Sequence, residues 1–231
     1  MTKPNPHLQL ETLFVLDERR RIVSTREPHP SPGPALVIIR SESACAWAVR
    51  ADVAEPAALE LTRLASQEPP SADFHQPLRY GDRYAALLGG GRIRCGPAFT
   101  FPEQLDEATG DAFEVTDEAE LRHHFPGWLD GEIAAGRGPV LAIRDEGDAG
   151  HAVSICFCAR RSPTAAEAGI ETTAPFRGRG YAPRAAIAWA RQVRSLGLTP
   201  LYSTDWSNHS SLAAARKLKL VPFAADFSFG A

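Results

Sequence analysis

Residues Arg177 to Ala182 read Arg-Gly-Arg-Gly-Tyr-Ala, after a strand-like segment and ahead of a helical pattern. A glycine turn that restarts as a helix leaves several backbone N–H groups unpaired and pointing one way, at the positive end of the helix dipole. Such a turn holds anions. Gly178 and Gly180 permit positive φ and the close approach a diphosphate needs, while Arg177 and Arg179 bring charge for its oxygens. Pro183 falls in the first turn, where a missing N–H has no helical partner to lose.

The elements that must position this loop are legible on both sides of it. Pro139 to Ile143, Ala152 to Ala159 and Ala168 to Thr173 are strands at hairpin spacing, which predicts an antiparallel meander. After the loop, Ala182, Ala186, Trp189, Val193 and Leu196 share one helical face, and Gly197 stands where a left-handed cap belongs. Leu201 to Thr204 is a strand, Asn208 caps a second helix carrying Leu212, Ala215 and Leu218, and Val221 to Phe229 alternates as a final strand. Upstream, Thr116 or Asp117 caps a helix with Leu121, Phe125, Leu129 and Ile133 at a four-residue spacing, split at Pro126-Gly127.

The first half is more heavily punctuated by proline and glycine. Ala35 to Ile39 and Ala46 to Val49 read as strands, Pro56 opens a helix through Ser66, and Tyr84 to Leu88 with Arg92 to Cys95 flank three glycines as a hairpin. The change of character between Phe101 and Gly110 predicts two units: an amino-terminal α/β region over residues 1–105 and a second domain over 106–231.

With 231 residues, 44% hydrophobic and 23% charged, the chain has the composition of a globular protein with a sizeable core. A net charge of −3 is too weak to steer the whole molecule toward nucleic acid or an anionic membrane, so any anion site is local. The single Arg-Gly-Arg-Gly string lacks the basic field and aromatic interleaving of an RNA binder. No stretch is long enough for a membrane span, and Pro4, Pro6, Glu11 and Asp17 break any secretory leader, so a cytoplasmic location is expected. Four scattered cysteines (Cys45, Cys95, Cys156 and Cys158) are expected as thiols. His123 and His124 are expected on opposite sides of a helical turn as a surface pair, and no metal site is expected.

In this context Arg177, Gly180 and Ala182 match the loop pattern Arg/Gln-x-x-Gly-x-Gly/Ala, and residues 112–231 resemble the GNAT (GCN5-related) N-acetyltransferase superfamily. The resemblance implies a mixed, mostly antiparallel sheet flanked by helices, the acyl-CoA N-acyltransferase fold. It also implies acetyl-CoA as the cofactor bound at the loop, through Arg177, Gly178, Arg179, Gly180, Tyr181 and Ala182. By position, Thr172 and Thr173 offer backbone groups to the pantetheine and a developing oxyanion. Asn208 and Ser211 stand where the family's second block lies near the thioester. Tyr202 lies on the strand that splays from its neighbour to admit the cofactor. Ala215 departs from the pattern, standing where many members have a tyrosine that protonates the leaving thiolate, and Lys219-Leu220 matches the helix end loosely.

The implied activity is acetyl transfer from acetyl-CoA to a primary amine, on a small molecule or a protein amino terminus, by direct attack in a ternary complex without a metal. Glu167 and Glu171 lie four residues apart on one strand face and are the candidate bases, Glu171 being closer to the loop; Tyr202 is the candidate acid. Exposed strand faces also carry glutamates, and Asn208 is first of all a helix cap. A longer acyl group, or a catalytically weak acyl-CoA sensor or interaction module suggested by Ala215, are the alternatives. A homodimer is compatible with the sequence.

Overall fold

The computed structural model describes residues 4–91, 93–107 and 110–230, so Arg92, expected in a strand, lies outside the described residues. In chain order the strands are β1 (Phe14–Leu16), β2 (Ile22–Thr25), β3 (Leu36–Arg40), β4 (Cys45–Val49), β5 (Ile93–Thr100), β6 (Phe113–Glu114), β7 (Leu141–Arg144), β8 (Ala152–Arg161), β9 (Ala165–Thr172), β10 (Thr199–Ser203) and β11 (Val221–Phe229). The helices are α1 (Pro6–Leu13), α2 (Glu55–Ala65), α3 (Gly81–Leu87), α4 (Tyr181–Ser195) and α5 (His209–Lys217). Strands β1 and β2 form a small ribbon, and the other nine form one sheet in the order β4-β3-β11-β5-β10-β9-β8-β7-β6. The fold is therefore the expected mixed, mostly antiparallel sheet flanked by helices.

The expected division at 105/106 is not a break in this sheet. Strand β5, from the first half, lies between β10 and β11 and is antiparallel to both, and β3 extends the sheet from β11. The two halves share backbone hydrogen bonds, so neither sheet half is complete alone. The punctuation near residue 105 marks the connection between sheet positions, which composition cannot distinguish from a domain linker.

Helix α4 covers one face of the sheet with Ala185, Ala186, Trp189, Ala190 and Val193, all fully buried. Trp189 packs on Phe101 with ring centroids 5.9 Å apart. Leu196, assigned to the same face, is instead exposed, because it is the residue that ends the helix before Gly197 turns left-handed. Helix α1 covers the other face, where Leu10 and Leu13 meet Val37, Ile39 and Ala46. Asn5 starts it, its side-chain oxygen accepting the Leu8 N–H at 3.0 Å.

Two expected elements take other forms. Tyr84 to Leu88 belongs to α3 and the turn after it, because the buried Tyr84 packs with the α2 cluster and donates its hydroxyl to Glu68 Oε1 at 3.0 Å. A five-residue apolar run does not by itself separate strand from helix. The helix expected from Asp117 is a short turn at Glu118–Leu121 and another at Ile133–Arg137. Pro126 and the positive-φ glycines Gly131 and Gly136 cut the pattern, leaving Leu121 and Phe125 buried while Leu129 is exposed.

One close approach fixes how the chain leaves β10. A Cβ on Gly96 would fall 1.7 Å from the Thr204 carbonyl oxygen, and Trp206 N–H bonds to the Cys95 carbonyl at 3.1 Å beside it. Gly96→Ala should lower the unfolding free energy by roughly 1–3 kcal/mol through overpacking, read as a lower urea midpoint. Gly127→Ala, with open space around its site, should stay within about 0.5 kcal/mol of the parent. Equal midpoints would show that the segment after β10 is not seated on Gly96.

Candidate functional site

The site begins where β9 and β10 part. They pair in parallel only over Thr199↔Ala165, Pro200↔Ala166 and Leu201↔Glu167. Beyond that, β9 stays on β8 as far as Thr172, while Leu201, Tyr202 and Ser203 stay on β5. A wedge opens between the two strands, and the chain runs from the end of β9 straight into the glycine loop.

A cleft of about 690 Å³ lies along this wedge, lined by Glu171, Thr172, Arg177, Gly178, Gly180 and Tyr181 among others. Gly178 and Gly180 have φ of 81° and 85°, the left-handed conformation the loop required. Among the described residues, the N–H groups of Gly178, Arg179 and Gly180 have no backbone acceptor. Gly180 caps α4 with no side-chain hydrogen bond to the first turn, so the amide cradle stands open. Arg177 is tied back through Nε to the Thr172 carbonyl at 3.0 Å. Arg179 is turned elsewhere: it pairs with Asp145 at 3.2 Å and lies over the Phe176 ring. The Tyr181 hydroxyl also donates to Asp145, which holds that carboxyl below its usual range. Arg179 is thus a tether for the loop rather than part of the cleft wall.

The strand before the loop offers one of its two expected amides and a further one. Thr173 N–H is already bound to the Val153 carbonyl at 3.0 Å. Strand alternation then turns the backbone of Thr172, and of Ile170 before it, toward the parted side. Thr173 is therefore corrected, its amide being satisfied by β8, and Ile170 is the amide the sequence reading missed. Register parity is the signal that would have found it, but parity follows from pairing that the sequence does not state.

The two glutamates separate. Glu171 is exposed at the cleft. Glu167 is buried, pairing with Arg160 at 2.7 Å and accepting from Gln9 Nε2 at 3.3 Å and from the Ser203 hydroxyl. An enclosed carboxylate with three partners is an organising group, and its expected role as a base is not supported by this geometry. Asn208 accepts the Ser211 N–H at 3.1 Å as the cap of α5. Tyr202 is buried, and desolvation raises its hydroxyl above the ordinary value against the opposing effect of the Ser211 hydroxyl. It holds its proton at neutral pH.

A second cleft of about 810 Å³ opens from the other side of the sheet. It meets the first at Ile170, Tyr202, Asn208 and Ser211, which line both. Its remaining wall is largely amino-terminal, including Phe14, Thr25, Glu27 and Gly33, with Asp226 and Ser228 from β11. Asp226 Oδ2 accepts from Gln9 at 3.2 Å, while its Oδ1 is out of solvent contact without a hydrogen-bond partner. Burial, reinforced by the Glu167 charge, pushes the Asp226 carboxyl up to about 7.

The histidines differ from expectation. His123 and His124 have ring centroids 4.5 Å apart, and His123 stacks on His151 at 4.1 Å. Ligand atoms of His123, His124 and Asp148 lie within 4.8 Å of one another, close enough to hold a metal ion, and His124 Nε2 is paired with Asp148, so the rings cluster instead of standing opposed. The loop between β7 and β8 brings Asp148 and His151 to them. Cys156 and Cys158 are free, buried thiols, and burial pushes Cys158 up to about 11.

No protein-family model and no curated protein matches the chain. Among solved structures it is similar to a protein from Novosphingobium aromaticivorans assigned to the GNAT family (TM-score 0.49, 18% identity), covering 59% of this chain and 64% of that one. It is also similar to a GNAT-family acetyltransferase from Colwellia psychrerythraea (TM-score 0.48, 14% identity, 80% and 76%). A GCN5-related N-acetyltransferase-like protein from Streptococcus suis follows (TM-score 0.45, 15% identity, 84% and 83%). In its own topology this chain has the mixed sheet, the parted strands and the loop-capped helix that the resemblance to the GNAT superfamily implied.

An acid raised from 3.8 to about 7 on folding favours the fold fully below 3.8 and loses that contribution as pH rises through 7. Asp226→Asn has no such dependence. Its melting temperature should exceed the parent's at pH 8, and the gap should narrow steadily toward pH 5. A gap that does not change with pH would show that Asp226 keeps an ordinary carboxyl.

Proposed function

We propose that this chain is an N-acetyltransferase that moves an acetyl group from acetyl-CoA to a primary amine. The observation that carries the reading is the meeting of two clefts through parted strands, with an open amide cradle at the end of one of them. Two substrates entering from opposite sides can meet there, which converts a bimolecular step into a positioned one.

Gly178, Arg179 and Gly180 would hold the diphosphate through their N–H groups at the α4 terminus, with Arg177 adding charge at the cleft edge. Bound there, acetyl-CoA supplies an activated thioester. The Thr172 and Ile170 amides face the parted side, where negative charge develops on the acyl oxygen. Glu171 takes a proton from the incoming ammonium, directly or through water, and Tyr202 gives one to the departing sulfur. Tyr202 thereby supplies from β10 the hydroxyl that the buried Ala215 lacks on α5.

Calorimetry should show acetyl-CoA binding, weakened about tenfold in Arg177→Ala. Tyr202→Phe should leave that affinity unchanged and slow thiol release with an amine acceptor by about 10²-fold or more. Binding without any thiol release across an amine panel would favour an acyl-CoA sensor, and absence of binding would remove the reading altogether.

A further inference from the structure

We infer that His123, His124 and Asp148 form a binding site for a divalent transition-metal ion of the zinc class, separate from the residues given a part in acyl transfer. Ligand atoms of the three lie within 4.8 Å of one another. Ligands around tetrahedral zinc stand roughly 3.3 Å apart at Zn–N and Zn–O lengths of about 2.0–2.1 Å, so closing the set takes about 1.5 Å of side-chain rotation at most. His123 is exposed and has room to make it.

Two turns, distant in sequence, set the ligands in place. The first runs between Leu121 and Phe125, both buried, with the Phe125 N–H bonded to the Leu121 carbonyl at 2.8 Å, so the intervening histidines are fixed from both sides. The second is the β7–β8 loop, where Asp145 accepts the Gly147 N–H at 2.9 Å and the Asp148 N–H bonds to the Asp145 carbonyl at 3.1 Å. His124 Nε2 is paired with Asp148, so the turns already meet at donor atoms that an ion would take.

The donor set selects the ion. Two imidazole nitrogens and one carboxylate oxygen suit zinc and its first-row neighbours, whereas magnesium and calcium take oxygen ligands. Three protein ligands leave a position for water. His151 does not supply a fourth: its ring lies flat on His123 at 4.1 Å and 15°, and two parallel rings cannot both aim an in-plane lone pair at one ion. The arginines beside these turns are engaged elsewhere, Arg122 with Asp130 at 2.9 Å, Arg144 with Glu120 and Arg179 with Asp145 at 3.2 Å.

The site backs onto the glycine loop. His124 meets the ring of Phe176, the residue before Arg177, at 5.7 Å, and the loop bearing Asp148 also bears Asp145, the tether of Arg179 and Tyr181. A bound ion clips the two turns together behind that loop, and binding to the folded chain raises its stability by mass action.

The test uses the full untagged chain, stripped with a chelator, and zinc chloride as the probe. Calorimetry should show one zinc ion per chain, and the melting temperature should rise as zinc is added. His123→Ala, at an exposed site, and Asp148→Asn, an uncharged isostere, should each weaken zinc at least about tenfold, since even the outer partners of a ligand are worth that much. His7→Ala, at an exposed histidine of α1, should bind zinc as the parent does. Zinc X-ray absorption should show nitrogen and oxygen at about 2.0–2.1 Å without sulfur at about 2.3 Å, which separates this site from the thiols. Zinc that fails to bind, that binds undiminished to both cooperatively melting variants, or that is held by sulfur overturns the inference. Zinc binding is read without acetyl-CoA, so its failure does not touch the acyl-transfer reading, and failure of acetyl-CoA to bind leaves the metal site standing.

Discussion

The architecture depends on one divided loyalty between neighbouring strands. Strand β10 begins as the parallel partner of β9 and ends as the antiparallel partner of β5, while β9 continues on β8. Backbone groups between the diverging ends lose their ladder partners, and in a buried sheet that loss must be made good by another ligand. The wedge, the inward-turned amides of Ile170 and Thr172, and the placement of the glycine loop all follow from it.

The amino-terminal half is what makes β10 diverge. Strand β5 occupies the position between β10 and β11, and Gly96 lets the chain after β10 cross directly over it. Helix α1 then brings Gln9 to Glu167 and Asp226 from the opposite face. The first 105 residues are thus one wall of the second cleft and part of the sheet that opens it. A buried polar cluster of this kind specifies an arrangement more than it stabilises one, because each carboxylate must be either paired or protonated.

Charge is distributed in keeping with that division of labour. The loop end of the first cleft presents amides and Arg177, suited to an anion, while the wall of the second mixes Glu27, Asp205 and Asp226 with Arg50, Arg94 and Arg160. Neither arrangement is visible in a net charge of −3, which sums over the whole chain.

The sequence by itself determined the local pieces: the left-handed glycines of the loop, the amphipathic face of α4 around Trp189, the Asn208 cap and the alternating strand after it. These rest on steric and hydrogen-bonding preferences within a few residues of chain, so they can be read along it. Tertiary structure alone decided that β5 enters the sheet between β10 and β11, that Tyr84 sits in a helix, that Thr173 spends its amide on β8, and that Glu167 is enclosed while Glu171 is not. It also decided that Asp226, an ordinary residue of an alternating strand, is a half-buried acid at the edge of a cleft. Each of these depends on partners that are scores of residues away, and period-two alternation names the faces of a strand without saying what will be packed against them.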